Sequence, residues 1–158
     1  MQSFRVIKPT AALVPYVRHY WVLSDDALAP VSERTLPVGC VQMVFHRGRQ
    51  LFSLTEGRLQ PSSFISGQAF GYSDVESTGM LEMIVVVFQP FAAKAFLHMP
   101  VSEFRGMNVN TEETGDPLLV DLGRRIADMP DRVACFRLIE GFLLRRLYAF
   151  PESHLKRV

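Results

Sequence analysis

The sequence predicts an α+β fold in which a small antiparallel β-barrel or half-barrel hands over to a C-terminal helical hairpin. Three observations carry this. Leu81 to Phe88 is rich in β-branched residues and holds one charge, Glu82, which suits a strand buried on both faces or lining a closed barrel. Through residues 1–89, turn residues divide the chain into about six or seven short strands at regular spacing, the pattern of a small antiparallel barrel. After Asp116-Pro117 the apolar residues fall instead at helical spacing.

In order, Phe4 to Ile7 reads as a first short strand before Pro9. The aromatic run LVPYVRHYWV from Leu13 to Val22 allows a strand or a helical reading, and a helical turn over Leu13–Val17 running into a strand from His19 to Ser24 reconciles the two. Asp25 to Val31 reads as a loop. Pro37 and Gly39 mark a turn before a strand from Cys40 to His46, in which Val41, Met43 and Phe45 share one face and Cys40, Gln42, Val44 and His46 the other. Gly48-Arg49 looks like a hairpin turn into a strand over Gln50–Leu54, with a further turn at Glu56-Gly57. Phe64–Ser66 is another short strand, and Gly71 to Gly79 is polar and turn-rich.

Pro90 stops the central strand and opens an expected helix over Phe91–His98, closed by Pro100. Val101 to Gly115 is polar and irregular. Asp116-Pro117 and Pro130-Asp131 each supply a helix start, and the stripe Val133, Phe136, Ile139, Leu143 and Leu147 carries the last helix to about Phe150, with Pro151 as its stop. Gly141 inside that stripe suggests close approach of another backbone.

At 158 residues and 48% hydrophobic, the chain reads as one domain able to bury a core unaided: 1–89 mainly β, 90–150 helical, and 151–158 a trailing segment. Its 17 basic and 16 acidic side chains nearly cancel, so bulk charge draws it neither to nucleic acid nor to a membrane. Cys40 and Cys135 lack CxxC spacing and read as buried thiols in a reducing compartment. MQSFRVIKP has no apolar signal core and no run approaches the roughly 18 apolar residues of a membrane span, which points to a cytoplasmic protein.

Catalytic signatures are absent. His19, His46, His98 and His154 are scattered without the close spacing of a metal site, there is no GxSxG and no phosphate-cradling glycine loop, and neither cysteine has a neighbouring histidine. The reading is therefore no enzyme, no metal and no cofactor. Arg145-Arg146 reads as the polar side of an amphipathic helix, its charges offsetting the helix dipole. A binding pocket has the most support: Trp21, Tyr20, Phe45 and Phe88 give apolar walls, and Arg34, Gln42, His46, Glu82 and Gln68 give a few polar groups on neighbouring strands, with a surface or hydrogen-bonded core histidine as the plain alternative for His46. For each aromatic the plain structural alternative is ordinary core packing, and for Arg34 beside Glu33 it is an ion pair.

The blocks YVRHYWVL, ERTLPVGCVQMVFHRG, SFISGQ, VVVFQPFAAKAFLHMPVSEF and FLLRRL, in that order, resemble the N-terminal domain of one branch of AraC-type bacterial transcription regulators. The likeness runs from about Leu13 to Leu147. It departs from the family at Val38, where members often carry an acidic residue between the proline and glycine of the LPxG block. The resemblance implies a cupin-like barrel that senses an unidentified small-molecule effector and pairs the protein as a homodimer. It implies DNA contact only through a helix-turn-helix domain expected after residue 158. Phe136, Ile139, Leu143 and Leu147 form the expected dimerisation stripe. A stand-alone cupin-like binding protein or enzyme is the alternative.

Overall fold

The computed structural model describes residues 2–26, 32–35, 39–67, 73–98 and 108–149, with residues 33–35 and 73 as backbone alone. The strand over Leu81–Phe88, which becomes β9 in chain order, is the centre of the fold. It lies between β2 (Val17–Asp25) and β4 (Gln42–His46) in a six-stranded antiparallel sheet. Beyond β2 comes β1 (Gln2–Ile7), and beyond β4 come β7 (Ser63–Ser66) and β10 (Asn108–Asn110). A second antiparallel sheet runs β3 (Ser32–Thr35), β8 (Ser73–Glu76), β5 (Phe52–Ser53), β6 (Arg58–Leu59). Two helices follow, α1 (Pro117–Asp128) and α2 (Arg132–Ala149). The α+β architecture of antiparallel sheets followed by a helical hairpin is thus the one the sequence predicts.

Both faces of β9 are buried because the large sheet sits between two layers. Met83, Val85 and Val87 face the smaller sheet and pack with Val44, Phe64, Leu51 and Val75. Ile84, Val86 and Phe88 alternate to the other side and pack with Leu119, Leu122 and Ile126 of α1 and with Cys135, Ile139 and Leu143 of α2. In β2 the register shifts between Val17 and His19, a bulge at Arg18 that turns Val17, Tyr20 and Val22 all towards the helices and leaves Trp21 and Leu23 on the opposite side. Cys40 and Cys135 are free and buried, as their spacing suggested.

Several elements differ from expectation. Gly48-Arg49 does not close a hairpin, since β5 pairs with β6 and β8 and the turn carries the chain from one sheet to the other. A Cβ on Gly48 would stand 2.5 Å from the Met80 carbonyl oxygen, so only glycine lets this crossing lie against the start of β9. The helix expected over Phe91–His98 is a turn with Phe91 at φ 68 followed by a short 3₁₀ segment, Ala93–Ala95. The left-handed residue interrupts helical geometry, while Phe96 still enters the core and stacks on Phe88 at 5.3 Å. The strands β3, β6, β8 and β10 were not anticipated, because each is short and mostly polar, with too few apolar positions to show alternation.

Both helix starts are capped as predicted. The Asp116 carboxylate accepts from Leu119 N at 3.4 Å and that of Asp131 from Ala134 N at 2.8 Å. Arg146, expected on a polar face, is instead buried and donates twice to Asp116, at 2.9 and 2.7 Å, and once to the Phe96 carbonyl at 3.2 Å. Since Asp116 starts α1 and Arg146 lies near the end of α2, the pair fixes the helices antiparallel. The expected dimerisation stripe also needs correction. Ile139 and Leu143 are fully buried, Phe136 packs on Tyr20 with ring centroids 5.4 Å apart, and Leu147 packs on the same core. The stripe is how α2 docks onto the sheet of its own chain, so it is not free for a second one.

Candidate functional site

Of the predicted pocket residues that the structure describes, Trp21, Gln42 and His46 lie on the face of the large sheet opposite the helices, whereas strand alternation turns Tyr20, Phe45 and Phe88 into the helix-side core and Glu82 towards Arg47 and Arg132. The register aligns Trp21 with Val85 and Val44, Gln42 with Val87 and His19, and His46 with Met83 and Leu23, in adjacent rows across β2, β9 and β4. Gln42 and His46 therefore share one face, as parity predicted, and strand pairing sets Trp21 on the same side. His19 joins them, a residue passed over because its neighbours in sequence gave it no partner, although alternation from Trp21 would have located it. Arg34 lies on β3 opposite Asp74, its side chain outside the described residues, and Gln68 is itself outside them.

His46 is the most constrained of these groups. It is 4% exposed, its Nε2 lies 2.9 Å from Gln60 Oε1, and its ring is tilted against Phe64 at 6.1 Å. Gln60 is held in turn, its carbonyl accepting from Gln50 Nε2 and its amide donating to the Leu51 carbonyl. With Nε2 facing the amide oxygen, the imidazole is the Nε2–H tautomer and Nδ1 is a buried acceptor with no donor among the described residues. Burial pushes the His46 pKa below its usual value, and the Gln60 contact only partly offsets this. His46 is thus neutral at physiological pH and keeps one acceptor unmet, a state that costs about 1–3 kcal/mol unless something donates to it.

The other groups are looser. Trp21 is half-buried, with its ring 5.6 Å from that of Phe4 on edge strand β1. Gln42 is half-buried and makes no hydrogen bond through its amide to any described residue. The His19 pKa is lowered, first by burial and then by the charge of Arg18. Together they give an apolar wall with a few directional polar groups, the make-up of a small-molecule pocket. Among the described residues no three His, Cys, Asp or Glu side chains gather as a metal would require.

The residue after His46 faces the other way. Arg47 donates to Glu82 at 2.9 Å and to the Met129 carbonyl in the link between α1 and α2, while Arg132 at the start of α2 reaches the same Glu82 oxygen at 3.3 Å. Two consecutive residues at the end of β4 thereby touch the candidate pocket and the helical pair.

No described helix is long and apolar enough to cross a membrane. No curated protein matches the chain. Residues 5–110 match the family described as a domain of unknown function, DUF6597, a span that takes in the second half of β1 and everything through β10 and stops short of the helical pair. That span is more than half of the 158 residues, and the chain belongs to the DUF6597 family.

Proposed function

We propose that this protein is the ligand-sensing domain of a cytoplasmic transcription regulator of the AraC type. A small organic effector binds between the two sheets and acts through the helical pair on a DNA-binding domain. The observation that carries this reading is the back-to-back arrangement of His46 and Arg47. An occupant that donates to His46 Nδ1 alters the end of β4, and Arg47 ties that end to the Met129 carbonyl between the helices. The motif order shared with such regulators supports the same reading.

Regulators of this kind work as homodimers. Because Ile139 and Leu143 are used inside the chain, contact between copies falls to other surfaces, such as the exposed Val133 and Tyr148 on the outer side of α2.

Native mass spectrometry of the purified chain, exposed to a small-metabolite extract, tests the reading. A small organic adduct is expected, lost when Trp21 and Gln42 are both replaced by alanine. A chain that stays bare, or one that carries stoichiometric transition metal, overturns it. A mobility shift of promoter DNA by residues 1–158 alone overturns it as well.

A further inference from the structure

A concavity lies between the helices, on the other side of the large sheet from Trp21, Gln42 and His46. A groove of about 400 Å³ opens to solvent between α1 and α2. Leu118 and Leu122 from α1 and Leu138 and Phe142 from α2 make its walls largely apolar. Not all of its charges are available. Arg125 is held by Asp121 at 2.9 Å, and Arg146 by its buried pairing with Asp116. Two arginines remain, Arg137 and Arg145, both exposed and neither bonded to any described residue.

These two stand one helical turn on either side of Gly141, with Cα atoms about 12 Å apart along the helix. Glycine there is costly by up to about 1 kcal/mol relative to alanine, and helix packing does not explain it. A Cβ built on Gly141 meets nothing within 4 Å. The close backbone approach expected at this residue is not made within the described chain, and the notch is open between two unpaired guanidinium groups.

We infer that this groove binds a small organic anion with an apolar body. Its carboxylate, sulfonate or phosphate is held by Arg137 and Arg145, and its apolar part lies over Gly141 against Leu138 and Phe142. The volume is within the range of small-molecule sites, about 300–1,000 Å³. Charge decides against a second copy of the chain as the occupant. A two-fold contact centred on Gly141 would set each Arg137 against the Arg145 of the other copy, and Asp121, the one acid lining the groove among the described residues, is already paired. The inference goes beyond the sensing role proposed above and does not depend on what the candidate pocket binds.

Fluorescence titration of the whole chain with anilinonaphthalene sulfonate, alongside the uncharged phenylnaphthylamine, tests it. Saturable binding of the sulfonate is expected, displaced by dodecanoate. The double variant Arg137→Gln/Arg145→Gln weakens the sulfonate by about tenfold or more and leaves the uncharged probe nearly unchanged. Gly141→Leu weakens both probes by filling the notch. These positions are exposed, and an unfolding midpoint equal to that of the unaltered chain shows that each variant folds. Three results overturn the inference: sulfonate binding unaffected by the double variant, an equal loss in the charge-matched control Arg49→Gln/Arg58→Gln, or a dimer in sedimentation that Gly141→Leu abolishes. The last result gives the groove to a second copy.

Discussion

The two faces of the large sheet draw on the same strands yet are finished differently. Towards the helices, Tyr20, Phe45, Ile84 and Phe88 are almost wholly buried and Asp116 and Arg146 satisfy each other, while Arg47, beside the link between the helices, keeps a buried Nε with no partner among the described residues. Towards the smaller sheet, Trp21 and Gln42 are half-buried and His46 keeps an unmet acceptor. A folded chain gains nothing from leaving a buried nitrogen without a donor. Both faces pack closely around β9, and what sets the second apart is the half-buried Trp21 and Gln42 beside the unmet His46 acceptor, groups suited to recognition on a sheet whose other side serves stability.

The division breaks most visibly at Leu143. If the helix-facing side is the stabilising one, Leu143→Asp puts a charge into the core and removes a fully buried side chain, at about 5 kcal/mol or more. Circular dichroism is expected to show an unfolded chain. A folded chain that has merely lost a dimer would return this residue to the interface role its stripe suggested. Next in size is Asp116→Ala, which strands the buried Arg146 guanidinium and removes the α1 cap, at about 3–5 kcal/mol by urea denaturation. Adding Arg146→Met should recover much of the loss, because an apolar side chain in that site needs no counter-charge. No recovery would mean that the fold depends on Asp116 for more than this pair.

The Asp116 example also shows what was legible in the sequence. Asp-Pro before an apolar run announced a capped helix, a local signal that needs no knowledge of the fold. That the same carboxylate also anchors Arg146 depends on two helices meeting thirty residues apart, and nothing local distinguishes Arg146 from the exposed Arg145 beside it. The same limit explains the sheets. β9 was read to its correct ends because both of its faces are apolar, whereas SERT in β3 and SDVE in β8 are short polar strands that pair with each other across a long stretch of sequence. Parity placed Gln42 and His46 on one face, since alternation is fixed once a strand is identified, whereas the sides taken by Tyr20, Trp21 and Phe88 follow from cross-strand pairing and the bulge at Arg18. The groove between the helices could not be read, because it depends on how two helices lie together.

Gly141→Ala gives a smaller and opposite effect. The position is exposed and a Cβ there has open space, so alanine should stabilise the chain by up to about 1 kcal/mol through helix propensity alone. An unchanged or lowered urea midpoint would mean that the glycine has a packing role within the chain, and would remove the notch as a separate feature of the helical pair.

The finest distinction between the faces is in their response to pH. The Asp116 pKa, which burial alone would raise, is held below its ordinary value by Arg146, so the helix side loses this contribution only in strong acid. The His46 pKa is lowered by burial, so the unfolded chain takes up a proton at His46 more readily than the folded one. The stability that neutral His46 contributes is complete above its unfolded pKa of about 6.5 and is lost as pH falls from there through the lower folded value. His19, lowered for a similar reason, acts in the same direction from the same face. Urea unfolding across pH 7 to 5 should therefore show falling stability, with a shallower slope in His46→Phe whatever that substitution costs at neutral pH. A ligand that donates to Nδ1 requires the neutral ring, so it should steepen the decline in the unaltered chain and leave the variant's slope unchanged. Equal slopes in the two proteins would mean that His46 is open to water, and the contrast between the faces would then rest on Trp21 and Gln42 alone.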